Sequence, residues 1–302
     1  MKRVKVLLCL IVLKTFFTNC YSQQTNTDAG FSDLVVQFFE YDRNVDLNVS
    51  HLEKTEEETY TRQRIIFDGI RNSRVPGYIA VPKGKAGTRN PCILLFHSGI
   101  SSKESWWEEG SFEHGKKLAQ RLLAGGYAVL MLDAQYHGIR AFENDYISGF
   151  DIFAKHNQFN KYRELMQQTT VEYRKALDYL AGRDDIDMTR IGAFGTSTGA
   201  NMALILSTVD ERIRTLVVCS TIIQGLPQPI EVFAPIHARP INKEASVLLQ
   251  VGKTDDFSPE EHVQKVFKNL KVKSKELKHY EFGHGPDESF LDDAVGWFKE
   301  NL

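Results

Sequence analysis

The feature that most constrains this chain is a serine between two glycines, placed where an apolar run gives way to a helical run. The segment reads Gly195-Thr-Ser197-Thr-Gly199, with apolar residues at 191–194 before it and at 202–206 after it. This order predicts a strand, a sharp turn and a helix, the arrangement that exposes a serine as a nucleophile. Glycines on both sides let the backbone turn tightly, because a side chain there would crowd the turn. The sequence therefore predicts that Ser197 is a catalytic nucleophile.

Apolar runs and helical runs alternate over most of the chain. Strands are predicted at residues 62–67, 77–81, 92–96, 127–132, 190–194, 213–219, 247–251 and 277–282. Helices are predicted at residues 115–124, 162–180, 259–270 and 289–302. Strands separated by helices form mostly parallel sheets, and reactive groups gather at the carboxyl ends of such strands. The predicted fold class is therefore α/β, with a mostly parallel eight-stranded sheet flanked by helices.

Residues 138–162 interrupt this alternation with aromatic side chains that follow no clear period. The segment comes after a predicted strand, so we predict a small lid-like insertion that overhangs the site, with a packed connecting loop as the alternative. The 302-residue chain has 42% apolar composition, and residues 23–302 are sufficient for a single domain with a large core. The formal net charge of −2, without blocks of like charge, argues against a nucleic-acid-binding protein.

The first 22 residues have the pattern of a secretory signal peptide. Three basic residues precede or flank the start of an apolar run at 6–13, and positions 20 and 22 offer small side chains before a cleavage site at Gln23. The apolar run is too short to span a bilayer. We therefore predict export to the periplasm or the extracellular space, without a membrane span. Lipidation at Cys20 is the alternative.

A serine nucleophile needs a neighbouring base, and the base needs a group that orients it. In a fold with this order of strands and helices, the acid and the histidine follow the serine. Asp255 and Asp256 lie just after one predicted strand, and His284 lies between glycines just after the next. We predict a triad of Ser197, His284 and Asp255, with Asp256 as the alternative acid. Asp255 is preferred because it lies three residues after Gly252.

The tetrahedral intermediate of ester cleavage needs two backbone N–H groups that face its oxyanion. Thr198 supplies one of them, because it directly follows the nucleophile. The second is predicted in the loop His97-Ser98-Gly99, at Gly99 or alternatively at Ser98. His97 itself is interpreted as a structural hydrogen-bonding residue. No cysteine or histidine spacing indicates a metal site, and chemistry of this kind requires no cofactor.

Several segments resemble the α/β-hydrolase superfamily, in its dienelactone-hydrolase-like and prolyl-oligopeptidase-like group. They are the helix at 173–180, the Asp187-x-x-Arg190-Ile-Gly192 that follows it, the Gly195-x-Ser197-x-Gly199 turn, and the loop at 133–140. The resemblance covers roughly residues 60–302 and implies an α/β-hydrolase fold and a serine hydrolase. Dienelactone hydrolase itself uses a cysteine nucleophile, so the serine in this chain implies an esterase.

Together these observations predict an exported serine hydrolase that cleaves carboxylic esters through an acyl-enzyme intermediate. The expected substrate is a small-molecule or polysaccharide-linked ester, and no nucleic-acid partner is expected. A peptidase of the prolyl-oligopeptidase type is the second interpretation, although the chain is short for the propeller domain usual in that group. A non-catalytic binding module on the same fold is the third interpretation, and the complete triad argues against it.

Overall fold

A sheet of nine strands carries the fold in the computed structural model, which describes residues 36–84, 87–223 and 243–302. The strands are β1 (Ser50–Glu56), β2 (Tyr60–Asp68), β3 (Arg74–Pro82), β4 (Asn90–Phe96), β5 (Ala128–Leu132), β6 (Ile186–Thr196), β7 (Ile213–Cys219), β8 (Ser246–Gly252) and β9 (Ser274–Tyr280). Their order across the sheet is β1-β2-β3-β5-β4-β6-β7-β8-β9. The strands from β5 to β9 in this order run parallel, and β1, β2 and β3 pair antiparallel at one end. The predicted mostly parallel α/β class is confirmed.

Residues Tyr41–Leu302 form one compact unit. Every strand and helix named here belongs to this unit. The predicted signal peptide at residues 1–22 lies outside the described residues. Within the part of the chain that is described, no helix combines the length and the apolar character needed to cross a bilayer.

The described residues include six α-helices that connect or cover the strands. They are α1 (Gly115–Ala124), α2 (Gly149–Ala154), α3 (Phe159–Ala181), α4 (Thr198–Val209), α5 (Glu260–Asn269) and α6 (Leu291–Asn301). Strands β5 and β8 are buried throughout, as expected for strands that helices cover on both faces. Helix α4 directly follows Ser197 and is buried on nearly all sides. The turn that contains the predicted nucleophile is therefore followed directly by a helix of the core.

The sheet contains one strand more than the predicted eight. The additional strand is β1, whose side chains are nearly all exposed and mostly polar or charged. A strand of this composition shows no alternation of apolar and polar residues, so the sequence predicts no strand there. Antiparallel pairing with β2 nevertheless fixes it at the edge of the sheet.

The segment at 138–162 follows β5 and consists of the 3₁₀ helix Gly138–Asn144, helix α2 and the start of α3. A buried bidentate ion pair joins Arg140 to Glu172 of α3, with N···O distances of 2.6 and 3.0 Å. Further along, the Phe150 N–H donates to the Gly99 carbonyl oxygen at 3.1 Å. The segment therefore contacts the loop after β4, where the second oxyanion donor is predicted.

Candidate active site

Ser197 occupies the turn between β6 and α4 with a φ of 57° and a ψ of −120°. Few residues other than glycine adopt a positive φ, and such strain is concentrated at functional sites. A Cβ on Gly195 would overlap the backbone of Gly199, and a Cβ on Gly199 would overlap carbonyl oxygens where β4 ends. The Ser197 N–H donates to the Cys219 carbonyl oxygen, at the end of β7, at 3.0 Å. Close packing of neighbouring backbone segments thus holds the serine at the end of its strand.

Three side chains that are far apart in the sequence form one line of hydrogen bonds. Ser197 Oγ lies 2.8 Å from His284 Nε2, and His284 Nδ1 lies 3.1 Å from both carboxylate oxygens of Asp255. Nδ1 faces a carboxylate, so it carries the proton and leaves Nε2 free to accept one from the serine. The Asp255 side chain is fully buried, and the His284 side chain is 19% exposed. Asp256 is exposed, so Asp255 is the aspartate that meets the imidazole.

The loops that carry Asp255 and His284 cross each other closely. A Cβ on Gly252 would overlap backbone carbonyl oxygens of the loop after β9. The Thr254 N–H, in the loop after β8, donates to the Phe282 carbonyl oxygen at 3.3 Å. Only glycine fits at the crossing point, and the close contact brings the acid within reach of the histidine.

Aromatic rings surround the imidazole of His284. The Phe257 ring centroid lies 4.7 Å from that of the imidazole, and the Phe112 ring centroid lies 6.0 Å from it. Phe150, from the predicted insertion, meets Phe257 edge to face at 6.3 Å. The sequence alone identifies neither Phe112 nor Phe257. The only available signal is that Phe257 lies two residues after Asp255.

The two alternatives for the second oxyanion donor differ in what their N–H groups bind. The Ser98 N–H donates to Glu113 Oε1 at 2.7 Å, so it is occupied. No described residue accepts a hydrogen bond from the N–H of Gly99 or from that of Thr198. Gly99 and Thr198 are neighbours in space, because a Cβ on Gly99 would lie 2.7 Å from Thr198 Oγ1. Two adjacent amides are therefore available for an oxyanion.

Two buried histidines support the Gly99 loop. His97 Nδ1 lies 2.7 Å from the Ser98 carbonyl oxygen, and the Ala134 N–H donates to His97 Nε2 at 3.1 Å. Since Nε2 accepts, Nδ1 carries the proton and donates. Burial lowers the pKa of His97 below its usual range and lowers the pKa of His137 to about 4. His137 Nε2 lies 3.0 Å from the Gly99 carbonyl oxygen, so both rings contact the loop backbone.

Known proteins share this fold and part of the sequence. The family model described as Acetyl xylan esterase (AXE1) matches residues 9–223. Acetyl xylan esterase 1 from Thermoanaerobacterium sp. JW/SL YS485 has a TM-score of 0.67 at 18% identity, over 89% of this chain and 93% of that one. The acetyl xylan esterase from Paenibacillus sp. R4 has a TM-score of 0.68 at 15% identity, over 90% of this chain and 93% of that one. At these identities the likeness shows the fold alone, and the predicted α/β-hydrolase fold is confirmed.

One curated relative is also similar in sequence to this chain. The Bacillus subtilis (strain 168) protein YtaP, which is named as a hydrolase, is 25% identical over an alignment of 245 residues, which covers 74% of this chain and 80% of that protein. The segment that matches the family model includes Gly99, Ser197 and Thr198, and it ends before Asp255 and His284.

Proposed function

The chain belongs to the acetyl xylan esterase family and is a carboxylic ester hydrolase, and we propose that it acts through a catalytic triad of Ser197, His284 and Asp255. The observation that carries this proposal is the 2.8 Å separation between Ser197 Oγ and His284 Nε2, with the Asp255 carboxylate on the other side of the imidazole. A nucleophile, a base and a group that orients the base are the parts that this chemistry requires. The matched segment ends at residue 223, so the roles of the acid and the histidine rest on geometry.

In the first half-reaction, Ser197 Oγ attacks the ester carbonyl carbon while His284 Nε2 takes the hydroxyl proton. Negative charge moves to the carbonyl oxygen, where the N–H groups of Thr198 and Gly99 stabilise it. Asp255 keeps the imidazole in the tautomer that accepts this proton and stabilises the imidazolium that results. As the intermediate collapses, the bond between the carbonyl carbon and the leaving oxygen breaks, and His284 gives its proton to the leaving alcohol.

In the second half-reaction, a water molecule takes the place of the alcohol. His284 accepts a proton from this water while the water oxygen attacks the acyl carbon bound to Ser197. The same two amides stabilise the second oxyanion. When the carbon–Oγ bond breaks, the proton returns from His284 to Ser197 Oγ and the carboxylic acid is released. One ester and one water thus give one alcohol and one acid, and the enzyme is regenerated.

The substrate class that we propose is acetyl groups linked by ester bonds to a polysaccharide such as xylan. The description of the family and the names of two structural neighbours support this class. The signal-like N-terminal sequence supports it too, because an exported enzyme meets polysaccharides outside the cytoplasm. We therefore propose a periplasmic or extracellular location for the enzyme.

The substitution Ser197→Ala tests the triad directly. It removes the nucleophile and leaves only the oxyanion hole and substrate binding, so kcat on p-nitrophenyl acetate and on acetylated xylan should fall on the order of 10⁶-fold. Circular dichroism checks that the variant retains the fold. Wild-type turnover by a clean preparation of this variant would refute the proposed nucleophile. Assays of the wild-type enzyme on a proline-containing peptide provide a second arm, and faster cleavage of the peptide than of the ester would favour the peptidase.

A further inference from the structure

Residues 112–114, which we call the brace, contact both of the loops that flank the nucleophile. On one side, the Phe112 ring centroid lies 6.0 Å from the imidazole centroid of His284. On the same side, His114 Nε2 lies 3.0 Å from the carbonyl oxygen of Pro286, two residues beyond the histidine. On the other side, the middle residue of the brace reaches the loop after β4. One short segment therefore joins the loop of the base to the loop of the second oxyanion donor.

The middle residue of the brace is Glu113, a carboxylate in an unusual environment. Glu113 is fully buried, and its Oε1 accepts the Ser98 N–H at 2.7 Å. Its Oε2 is also buried and has no hydrogen-bond partner among the described residues. A buried carboxylate oxygen without a partner costs free energy, so such groups are rare in folded proteins and need an explanation. Glu113 is not part of the proposed triad. Its hydrogen bond with the Ser98 N–H is therefore the contact through which it could act on the site.

Glu113 and His97 hold the two peptide groups on either side of Ser98. The Ser98 N–H donates to Glu113, and the Ser98 carbonyl oxygen lies 2.7 Å from the donor His97 Nδ1. A trans peptide is planar, so the N–H of Gly99 points away from the carbonyl oxygen of Ser98. Fixing both peptide groups therefore sets the direction of the Gly99 N–H. If the carboxylate were absent, the Ser98 N–H would be an unpaired buried donor, and one of the two restraints on the peptide groups around Ser98 would be lost.

We propose that Glu113 is a positioning residue of the oxyanion hole, which binds the Ser98 N–H and thereby presents the Gly99 N–H to the substrate carbonyl oxygen. The rest of the brace ties this donor to the loop of His284, so the base and the donor keep their places around the nucleophile. The inference rests on the proposed function, because it takes Ser197 as the residue that generates the oxyanion. Glu113 itself does not touch the substrate.

Two substitutions at Glu113 separate this role from general support of the fold. Glu113→Ala removes the acceptor, and kcat on p-nitrophenyl acetate should fall about 10²-fold with little change in KM, as for the loss of one oxyanion donor. Glu113→Gln keeps an oxygen acceptor in the same position, so kcat should recover to within about fivefold of the wild type. Rates are expressed per Ser197 labelled by a fluorophosphonate, so that unfolded protein is not counted.

A trifluoromethyl ketone gives a second readout, because it adds to the serine and forms a stable oxyanion. Its inhibition constant should rise in Glu113→Ala by about the factor by which kcat/KM falls, and it should change little in Glu113→Gln. Asp210→Ala is the matched control. Asp210 is a buried carboxylate at the far end of α4, bound by Arg174 and Arg212. This control should lower Tm and leave kcat per labelled serine unchanged.

Three results would overturn the inference. They are an unchanged kcat per labelled serine in Glu113→Ala, a loss of kcat that Glu113→Gln shares in full, and a rise of KM that accounts for the whole loss. Failure of the proposed function has a different signature. In that case Ser197→Ala would keep its esterase activity, whatever the Glu113 variants do.

Discussion

The two sides of the site differ in how many buried polar side chains surround them. One side holds the proposed triad, and the other holds Gly99. Ser197, His284 and Asp255 form a single line of hydrogen bonds, and the imidazole side chain remains 19% exposed. Around Gly99, buried polar residues from three segments of the chain meet instead. They are His97, Ser98, Lys103, Glu113, Asp133, His137 and Arg140, each at most 3% exposed.

The difference follows from what each side has to do. In the proposed mechanism the imidazole takes up and gives back a proton twice in each turnover, so it requires only a defined tautomer and an orientation. Oxyanion donors must be in place before the charge develops, and a buried, hydrogen-bonded network would hold the donor proposed at Gly99 in position. The buried ion pair of Lys103 and Asp133, 2.9 Å apart, is part of that network. Asp133 also accepts the Ile139 N–H, which links the loop after β4 to the segment at 138–162.

Of the substitutions that compare the two sides, the one at Asp255 is expected to cause the largest loss of kcat. Asparagine at 255 keeps the shape of the side chain but can offer an N–H to the imidazole, which favours the wrong tautomer. Asp255→Asn should therefore lower kcat about 10⁴-fold. Asp256→Asn is the matched control, because its side chain is exposed, and it should stay within about twofold of the wild type. Ester kinetics at neutral pH measure both, and equal losses in the two variants would contradict the assignment of the acid.

A smaller loss is expected from one methyl group on the Gly99 side. A Cβ at position 99 would lie 2.7 Å from Thr198 Oγ1 and 3.4 Å from Phe150, so in Gly99→Ala either the Thr198 side chain or the backbone that carries the Gly99 N–H must shift. We expect kcat to fall about 10²-fold, as for the loss of one donor. In α6, a Cβ on Gly296 would meet nothing within 4 Å, so Gly296→Ala should leave kcat unchanged. Wild-type kcat in Gly99→Ala would mean that the second donor lies elsewhere.

The smallest expected effect is on the pH dependence of the free energy of unfolding, through His137 on the Gly99 side. Burial, and then the neighbouring His97, lower the pKa of His137 to about 4, against the carbonyl oxygens of Gln135 and Gly99 and the charge of Asp133, which raise it. The unfolded chain takes up this proton near pH 6.5, so the contribution to stability is complete above that pH and declines as the pH falls towards 4.

Between pH 7.5 and pH 5 this decline amounts to about 2 kcal/mol in the free energy of unfolding. Glutamine at position 137 does not titrate, so His137→Gln should lose about 2 kcal/mol less than the wild type over the same interval. Urea unfolding at the two pH values measures the difference. A decline of the same size in both proteins would show that this histidine does not carry it.

The residues of the proposed triad could be picked out from the sequence because each carries a signal in its own segment: a short motif at Ser197, and a position just after a predicted strand at Asp255 and at His284. Ser197 lies in a short motif, and the fold class sets the order in which the acid and the histidine follow. The Gly99 side could be predicted only in part. Glu113 lies 15 residues from Ser98 with no motif between them, and a buried glutamate runs against the usual placement of that residue. Its role depends on a contact between distant segments. The pattern of apolar and polar residues along the chain does not reveal such a contact.

The same limit applies to the sheet. Strands β4 and β8 are apolar runs that are covered by helices, and their positions follow from the residue pattern alone. Strand β1 is polar, charged and exposed, so only its pairing with β2 makes it a strand. The choice between Gly99 and Ser98 likewise depended on a partner, Glu113, that the residue pattern does not reveal.

The positive φ of Ser197 also bears on how this enzyme can evolve. Glycine would adopt that backbone conformation with less strain, so stability and hydrolysis place opposite demands on one position. A lineage that no longer hydrolysed esters would be free to drift towards glycine there, and its turn would relax. With Ser197 as the proposed nucleophile, the reaction therefore requires a side chain at a position where the backbone alone would favour glycine.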